Sequence, residues 1–192
     1  MCGFVGFTGL REQREAILHR MADRIIHRGP DMEGYHISGN DPRSAIALGF
    51  RRLSIIDVSE AGTQPLYSED GNLALLFNGE IYNYQEIRAR LIEAGYHFAT
   101  QTDSEVLIYG YQEYGADLLQ QLRGMFSFVI WDKREKKLFG ARDFFGIKPM
   151  YYAQMGETFL FGSEIKFIRD LQPGDSFKVL VEKRYRDGEY KG

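Results

Sequence analysis

An α+β fold with largely antiparallel sheets is the class that the 192-residue sequence predicts. Four observations predict it. Strand-type residues open the chain, helical periodicity fills a block over residues 83–122, and alternation returns over residues 125–161. In addition, Asp70-Gly71 sits between Leu66-Tyr67 and the apolar run 73–77, a hairpin signal that requires antiparallel neighbours.

Taken in order, residues 3–8 read as a buried strand whose glycines suit tight backbone approaches. Between Glu12 and Ile26, the residues Ile17, Leu18, Met21, Ala22, Ile25 and Ile26 recur at helical spacing and make one apolar face. Gly29-Pro30 stops that helix, because a proline pushes its predecessor out of the helical region. Ile46, Leu48 and Phe50 alternate as a strand, and Leu53-Ser54-Ile55-Ile56 continues the β pattern. Asn83 with Glu86 reads as a capping box before a helix whose apolar face is Ile87, Leu91 and Ile92 and which Gly95 ends. Thr102 and Glu105 read as a second capping box, before a helix over 106–114 closed by Gly115. A short helix over 116–122 follows. Strands are then predicted at 125–131, 137–142, 150–153 and 159–161, and a last helix begins at 163–168. Residues 171–180 read as a strand with a Pro-Gly turn. The charged, glycine-tipped end over 182–192 is expected to fray. There is no internal repeat or low-complexity linker, so we divide the chain into a domain at 1–168 and a closing segment or tail at 169–192.

Composition narrows the function. A hydrophobic content of 44% can fill a core in a chain of this length. Twenty-four basic residues against 27 acidic ones give a formal charge of −3, which argues against nucleic acid or an anionic membrane as partner. A single cysteine excludes an internal disulfide; with no signal peptide in view, a cytoplasmic location is expected. His19, His27, His36 and His97 are scattered without metal spacing, so no metal site is expected. No phosphate-cradling glycine loop occurs, so no nucleotide site is expected either.

The chemistry gathers at a few short stretches. Cys2 is the only cysteine, and removal of Met1 would join its thiol to a free α-amine. An α-amine titrates at roughly 7.7–8.0, so its neutral fraction can take the thiol proton. The alternative is a small buried hydrophobe. Asn78-Gly79 could aim a side-chain amide and a backbone N–H at a developing oxyanion, but Asn-Gly is also a favoured hairpin turn. Arg52 could hold a carboxylate bidentately, and neighbouring Arg51 is an equal candidate by spacing. Asp103 could pair with an ammonium or cap a helix, and the two roles are compatible. Arg28-Gly29-Pro30-Asp31 reads as a loop with an internal ion pair.

In order along the chain stand Met1-Cys2-Gly3-Phe4-Val5-Gly6, Arg28-Gly29-Pro30-Asp31, Arg52-Leu53-Ser54-Ile55-Ile56-Asp57, Phe77-Asn78-Gly79-Glu80-Ile81-Tyr82-Asn83, Thr102-Asp103-Ser104-Glu105 and the run from Ala141-Arg142-Asp143 to Tyr152. This ordered set resembles the glutaminase domain of class II glutamine amidotransferases, whose nucleophile is N-terminal, in the asparagine synthetase (glutamine-hydrolysing) branch. The resemblance spans 1–168. It implies a four-layer αββα sandwich and a glutaminase that forms a Cys2 thioester. It implies Arg52 on the glutamine carboxylate, Asp103 near its ammonium, and Asn78 with Gly79 as the oxyanion hole. Glu80 and the backbone at Ile55 and Ile56 would line the pocket. No cofactor is implied for this domain; ATP and magnesium would serve only a synthetase domain.

The resemblance also implies partners: L-glutamine, and a synthetase domain or subunit that consumes the ammonia. A homodimer is a further option. An asparagine synthetase carries a Ser-Gly-Gly-x-Asp-Ser loop that does not occur here, and Leu171-Gln172-Pro173-Gly174-Asp175 follows Ile168 sooner than the family pattern leads one to expect. A non-catalytic docking domain for a synthetase is the competing expectation, with its partner face in 140–152.

Overall fold

A computed structural model describes residues 2–9, 11–53, 62–166 and 178–179. Among them, ten strands form two antiparallel sheets. The first sheet has the order β10-β8-β9-β1-β3-β2, built from β1 (Gly3–Thr8), β2 (Met32–Ser38), β3 (Ile46–Arg52), β8 (Tyr151–Met155), β9 (Thr158–Gly162) and β10 (Lys178–Val179). The second has the order β4-β5-β6-β7, from β4 (Leu66–Tyr67), β5 (Leu73–Ile81), β6 (Gly124–Asp132) and β7 (Lys137–Arg142).

Strand alternation sorts the core into three clusters. On β1, Val5 and Phe7 face outward, where they meet Leu18, Met21, Ala22 and Ile25 of helix α1 (Arg14–Asp23) and the turn that follows it. Phe4, on the opposite face, packs with Leu48, Phe50, Leu76, Val129 and Phe161 between the sheets. On β5, Leu73, Leu75 and Phe77 face helices α2 (Tyr84–Glu93), α3 (Glu105–Tyr114) and α4 (Leu118–Gln121), while Ala74 and Leu76 face the first sheet. The layers therefore run helix, sheet, sheet, helices. The expected α+β sandwich of two largely antiparallel sheets is present.

The sequence missed β2. Its run Met-Glu-Gly-Tyr-His-Ile-Ser is half-buried at a sheet edge, and only Tyr35 and Ile37 reach the core, too few to mark a period. The first helix is shorter than the predicted 12–26; a 3₁₀ turn at Ile26–Arg28 takes its end. The Asp70-Gly71 hairpin forms, with Gly71 at φ +68° and Ser68 N–H donating to Leu73 O at 3.1 Å. Both capping boxes fail. Asn83 occupies the N-cap of α2, but its side chain bonds Gln121 O and Arg123 N–H, which ties α2 to the start of β6. Glu105 begins α3 but accepts from Ala99 N–H, Thr100 N–H and the Thr100 hydroxyl, so it ties down the preceding loop. Of the predicted helix at 163–168, a helical turn begins at 165–166, and 167–168 lie outside the described residues. Of the predicted strand at 171–180, Lys178–Val179 pairs with β8 and the rest lies outside those residues, as does the tail over 182–192.

Candidate active site

Cys2 precedes the β1 ladder, whose pairing begins with Gly3 opposite Arg51. That register sets Cys2 level with Arg52 at the end of β3. The Cys2 side chain joins the apolar cluster between the sheets and is half-buried. Its Sγ lies against the Leu53 backbone, 3.5 Å from the N–H and 3.8 Å from the carbonyl oxygen. Two more contacts fix the same end of the chain. Phe4 N–H donates to Ser163 Oγ at 3.0 Å and Ser163 N–H donates to Phe4 O at 2.8 Å. Arg28 Nε donates to the Cys2 carbonyl at 3.1 Å.

Arg52 is buried, its Nη1 3.4 Å from Met32 Sδ, opposite its β2 register partner. A Cβ on Gly62 would fall 2.5 Å from the Arg52 Nη2, so the Gly62 backbone lies close over the guanidinium. Arg51, the equal candidate by spacing, faces the other way. It is paired with Asp23 and Glu33 at 2.5 Å each, on the α1 side. The structure thus separates two arginines that the sequence could not.

Asn78-Gly79 is not a turn. Both residues lie inside β5, opposite Ser127 and Phe126 of β6. Asn78 follows Ala74 and Leu76 on the face toward the first sheet. It is 3% exposed, and its Nδ2 has no hydrogen-bond partner among the described residues. A buried, unpaired amide N–H is costly, so this donor is free to bond a group brought to it. A Cβ on Gly79 would strike Met125 O at 2.2 Å, so the strand pair closes here only around glycine.

The direction of the Gly79 N–H follows from its neighbours. N–H groups two residues apart on a strand point to the same edge. Phe77 N–H donates to Gln64 Oε1 and Ile81 N–H donates to Asp103 Oδ2 at 2.9 Å, both on the edge away from β6. Tyr82 N–H, of the other parity, goes to Arg123 O on the β6 side. The Gly79 N–H therefore points to the open edge, between the Gln64 and Asp103 contacts.

The bond to Ile81 also brings Asp103 to the end of β5, next to exposed Glu80. Burial pushes the Asp103 carboxyl above the usual range, and the Glu80 charge adds to it against the N–H bonds of Ile81, Asp103 and Ser104. Such a carboxylate gains from a cation placed beside it. Expected pocket residues Ile55 and Ile56 lie outside the described residues. Arg28 departs from the loop-internal pairing read from sequence: its Nη1 is paired with Glu164 Oε1 at 3.1 Å. Among the described residues, no group of three or more His, Cys, Asp or Glu stands where it could hold a metal ion. No helix there is long and apolar enough to cross a membrane, which says nothing of a β-barrel.

Residues 1–183 match the family described as the Glutamine amidotransferase domain. The chain belongs to that family. Similarity places this amidotransferase domain in the asparagine synthetase branch. It is 46% identical over 171 residues to asparagine synthetase [glutamine-hydrolyzing] 1 of Bacillus subtilis, covering 86% of this chain and 26% of that protein. An asparagine synthetase [glutamine-hydrolyzing] of Zea mays is 39% identical over 174 residues, covering 88% of this chain and 28% of that one. The chain therefore spans about a quarter of the length of these relatives. The solved glutamine phosphoribosylpyrophosphate amidotransferase of B. subtilis superposes with a TM-score of 0.74 at 22% identity, over 92% of this chain and 44% of that one, a likeness of fold. The family match continues past residue 168, where the sequence-based domain boundary was drawn.

Proposed function

We propose that the domain hydrolyses the side-chain amide of L-glutamine to glutamate and ammonia through a Cys2 thioester. The observation that carries this reading is the unspent hydrogen bonding of Asn78-Gly79: one buried, unpaired amide and one N–H aimed at an open strand edge. Tetrahedral chemistry at an amide needs donors of this kind, placed before the charge develops.

The chemistry follows from the groups present. Once Met1 is removed, the neutral α-amine of Cys2 takes the thiol proton, and the thiolate attacks the amide carbon. Asn78 Nδ2 and the Gly79 N–H bond the resulting oxyanion. The α-ammonium then protonates the leaving nitrogen, the C–N bond breaks, and ammonia departs from a γ-glutamyl thioester. Water adds to the thioester, with the amine as base, and glutamate leaves as the thiol re-forms. Arg52 binds the α-carboxylate of glutamine, Asp103 with Glu80 binds its ammonium, and the backbone at Ile55 and Ile56 lines the pocket. The domain needs no cofactor for these steps. Its ammonia is destined for a synthetase domain or subunit of the asparagine synthetase type, where ATP and magnesium would act.

A docking role has its own supporting observation. Phe144, Phe145 and Ile147 are 62%, 83% and 58% exposed on a loop after β7. Asp143 holds that loop rigid by accepting from Phe126, Ile147 and Lys148 N–H groups. Exposed apolar residues on an ordered loop suit a protein partner.

The test is glutamate release from glutamine by protein whose Met1 is shown absent by intact mass. Release that disappears in Cys2→Ala is the expected result. A Cys2→Ala protein that releases glutamate at the unmutated rate would overturn the thioester. No release from the processed, folded protein, either alone or with a synthetase partner added, would give priority to the docking role; release that appears only with the partner would mark a glutaminase that docking switches on.

A further inference from the structure

Ordered strand pairing does not hold the nucleophile. The β1 ladder starts at Gly3, and chain ends fray unless they are tied down. Something outside the strand must keep Cys2 in place, since a reacting residue needs neighbours that lock its position. Besides its packing in the cluster between the sheets, the described hydrogen bonds of residue 2 run to Leu53 and to Arg28.

Arg28 stands at the end of the 3₁₀ turn after α1, and its side chain is 11% exposed. Its Nε holds the Cys2 carbonyl at 3.1 Å and its Nη1 holds Glu164 Oε1 at 3.1 Å. Its aliphatic stem also lies under the strand, since a Cβ on Gly3 would stand 3.0 Å from the Arg28 Cδ. Glu164 in turn has three partners: the Arg28 guanidinium, the Lys166 ammonium at 3.0 Å and a ring nitrogen of His27 at 2.8 Å. Burial raises the Glu164 carboxyl, but the hydrogen bonds from Lys166, His27 and Arg28 outweigh it and hold it down at about 2. The carboxylate is therefore ionised throughout the working range. Its neighbour Ser163 brackets Phe4 through two further bonds. The pair Ser163-Glu164, more than 130 residues away in sequence, thus grips both the first strand and the residue before it.

We propose that Glu164 is a positioning residue for the nucleophile. It acts through Arg28, fixing that guanidinium against the Cys2 carbonyl so that the thiol and α-amine meet the amide carbon in one geometry. This rests on the glutaminase reading for its effect on turnover, but not for its effect on Cys2 itself. Without the carboxylate, Arg28 loses its anchor, residue 2 loosens, and Sγ leaves the Leu53 backbone. Turnover then falls while the thiol becomes easier to reach.

The experiment uses the Met1-free protein with Glu164→Ala, Arg28→Ala and the double variant. Three quantities are read: glutaminase kcat and KM, the rate of Cys2 alkylation by iodoacetamide without glutamine, and Tm. The expected result for Glu164→Ala is a kcat lower by about tenfold or more, with KM within about threefold. Alkylation is faster, and the double variant is no worse than Arg28→Ala, the non-additivity of residues that act as one unit. Glu164→Gln, which keeps an acceptor but no charge, falls between the two and serves if Glu164→Ala does not fold. An unchanged kcat and alkylation rate in a folded Glu164 variant would overturn the proposal, as would losses that multiply in the double variant. If the unmutated protein releases no glutamate, it is the glutaminase reading that fails, and the alkylation rates still decide the role of Glu164.

Discussion

Strand β5 has two halves that do opposite things. From Leu73 to Phe77 every side chain is apolar and buried, alternately against the helices and against the other sheet. From Asn78 to Ile81 the same strand, still paired residue by residue with β6, carries a buried amide without a partner, a glycine and an exposed glutamate. The first half has its bonding saturated and contributes to stability. The second half leaves bonding capacity open, which costs stability and suits a ligand. The lesson is local: the ladder to β6 is continuous, so the difference lies in the side chains and the open edge.

Mutations can break this comparison. Leu75→Ala, in the first half, should cost about 2–5 kcal/mol of stability, since it empties a fully buried site between β5 and the helices. Chemical unfolding reads that loss, and kcat for the folded fraction should stay within about twofold. Gly79→Ala should cost about 1–3 kcal/mol, because its Cβ meets the Met125 carbonyl of β6 at 2.2 Å and backbone must shift. Here activity should fall with stability, since the displaced N–H is one of the proposed donors.

Asp103→Asn sharpens the comparison at the end of the strand. Loss of the charge should raise KM for glutamine by about tenfold, worth about 1.4 kcal/mol, with a smaller change in kcat. The raised Asp103 carboxyl opposes folding as pH rises past its ordinary range, so the variant should be no less stable at neutral pH. The last effect shows only in acid and belongs to Glu164. Its carboxyl is held down from 4.5 to about 2, so its stabilisation is present above about pH 4.5 and is lost as pH falls toward 2. Acid unfolding of Glu164→Gln should be flatter in that window than that of the unmutated protein.

Much of the fold was legible because alternation and helical spacing are read from neighbours in the chain. β1, β3, the Asp70-Gly71 hairpin and the closing strands all came from such local signals. β2 did not, because an edge strand that buries little carries little pattern. The failed capping boxes show a related limit. Asn83 and Glu105 have the right spacing for caps, yet both side chains reach past the helix to another segment. The site divides the same way. The residue types were legible, but the choice between Arg51 and Arg52 depended on which face of β3 each takes. Taken alone, Asn78-Gly79 read as a turn; the ordered motif set favoured an oxyanion hole instead, and pairing with β6 places both residues inside a strand. Glu164 carried no motif of its own, and its link to Cys2 exists only through Arg28 in space.

The most direct test of the central claim is Asn78→Ala, with kcat and Tm measured on the same Met1-free preparation. If the buried amide is held in reserve for an oxyanion, kcat should fall by about 10²–10³. Tm should not drop in parallel, because an unsatisfied polar group has been removed along with the donor. A variant that keeps kcat within twofold, or that loses activity only in proportion to a lower Tm, would contradict the account.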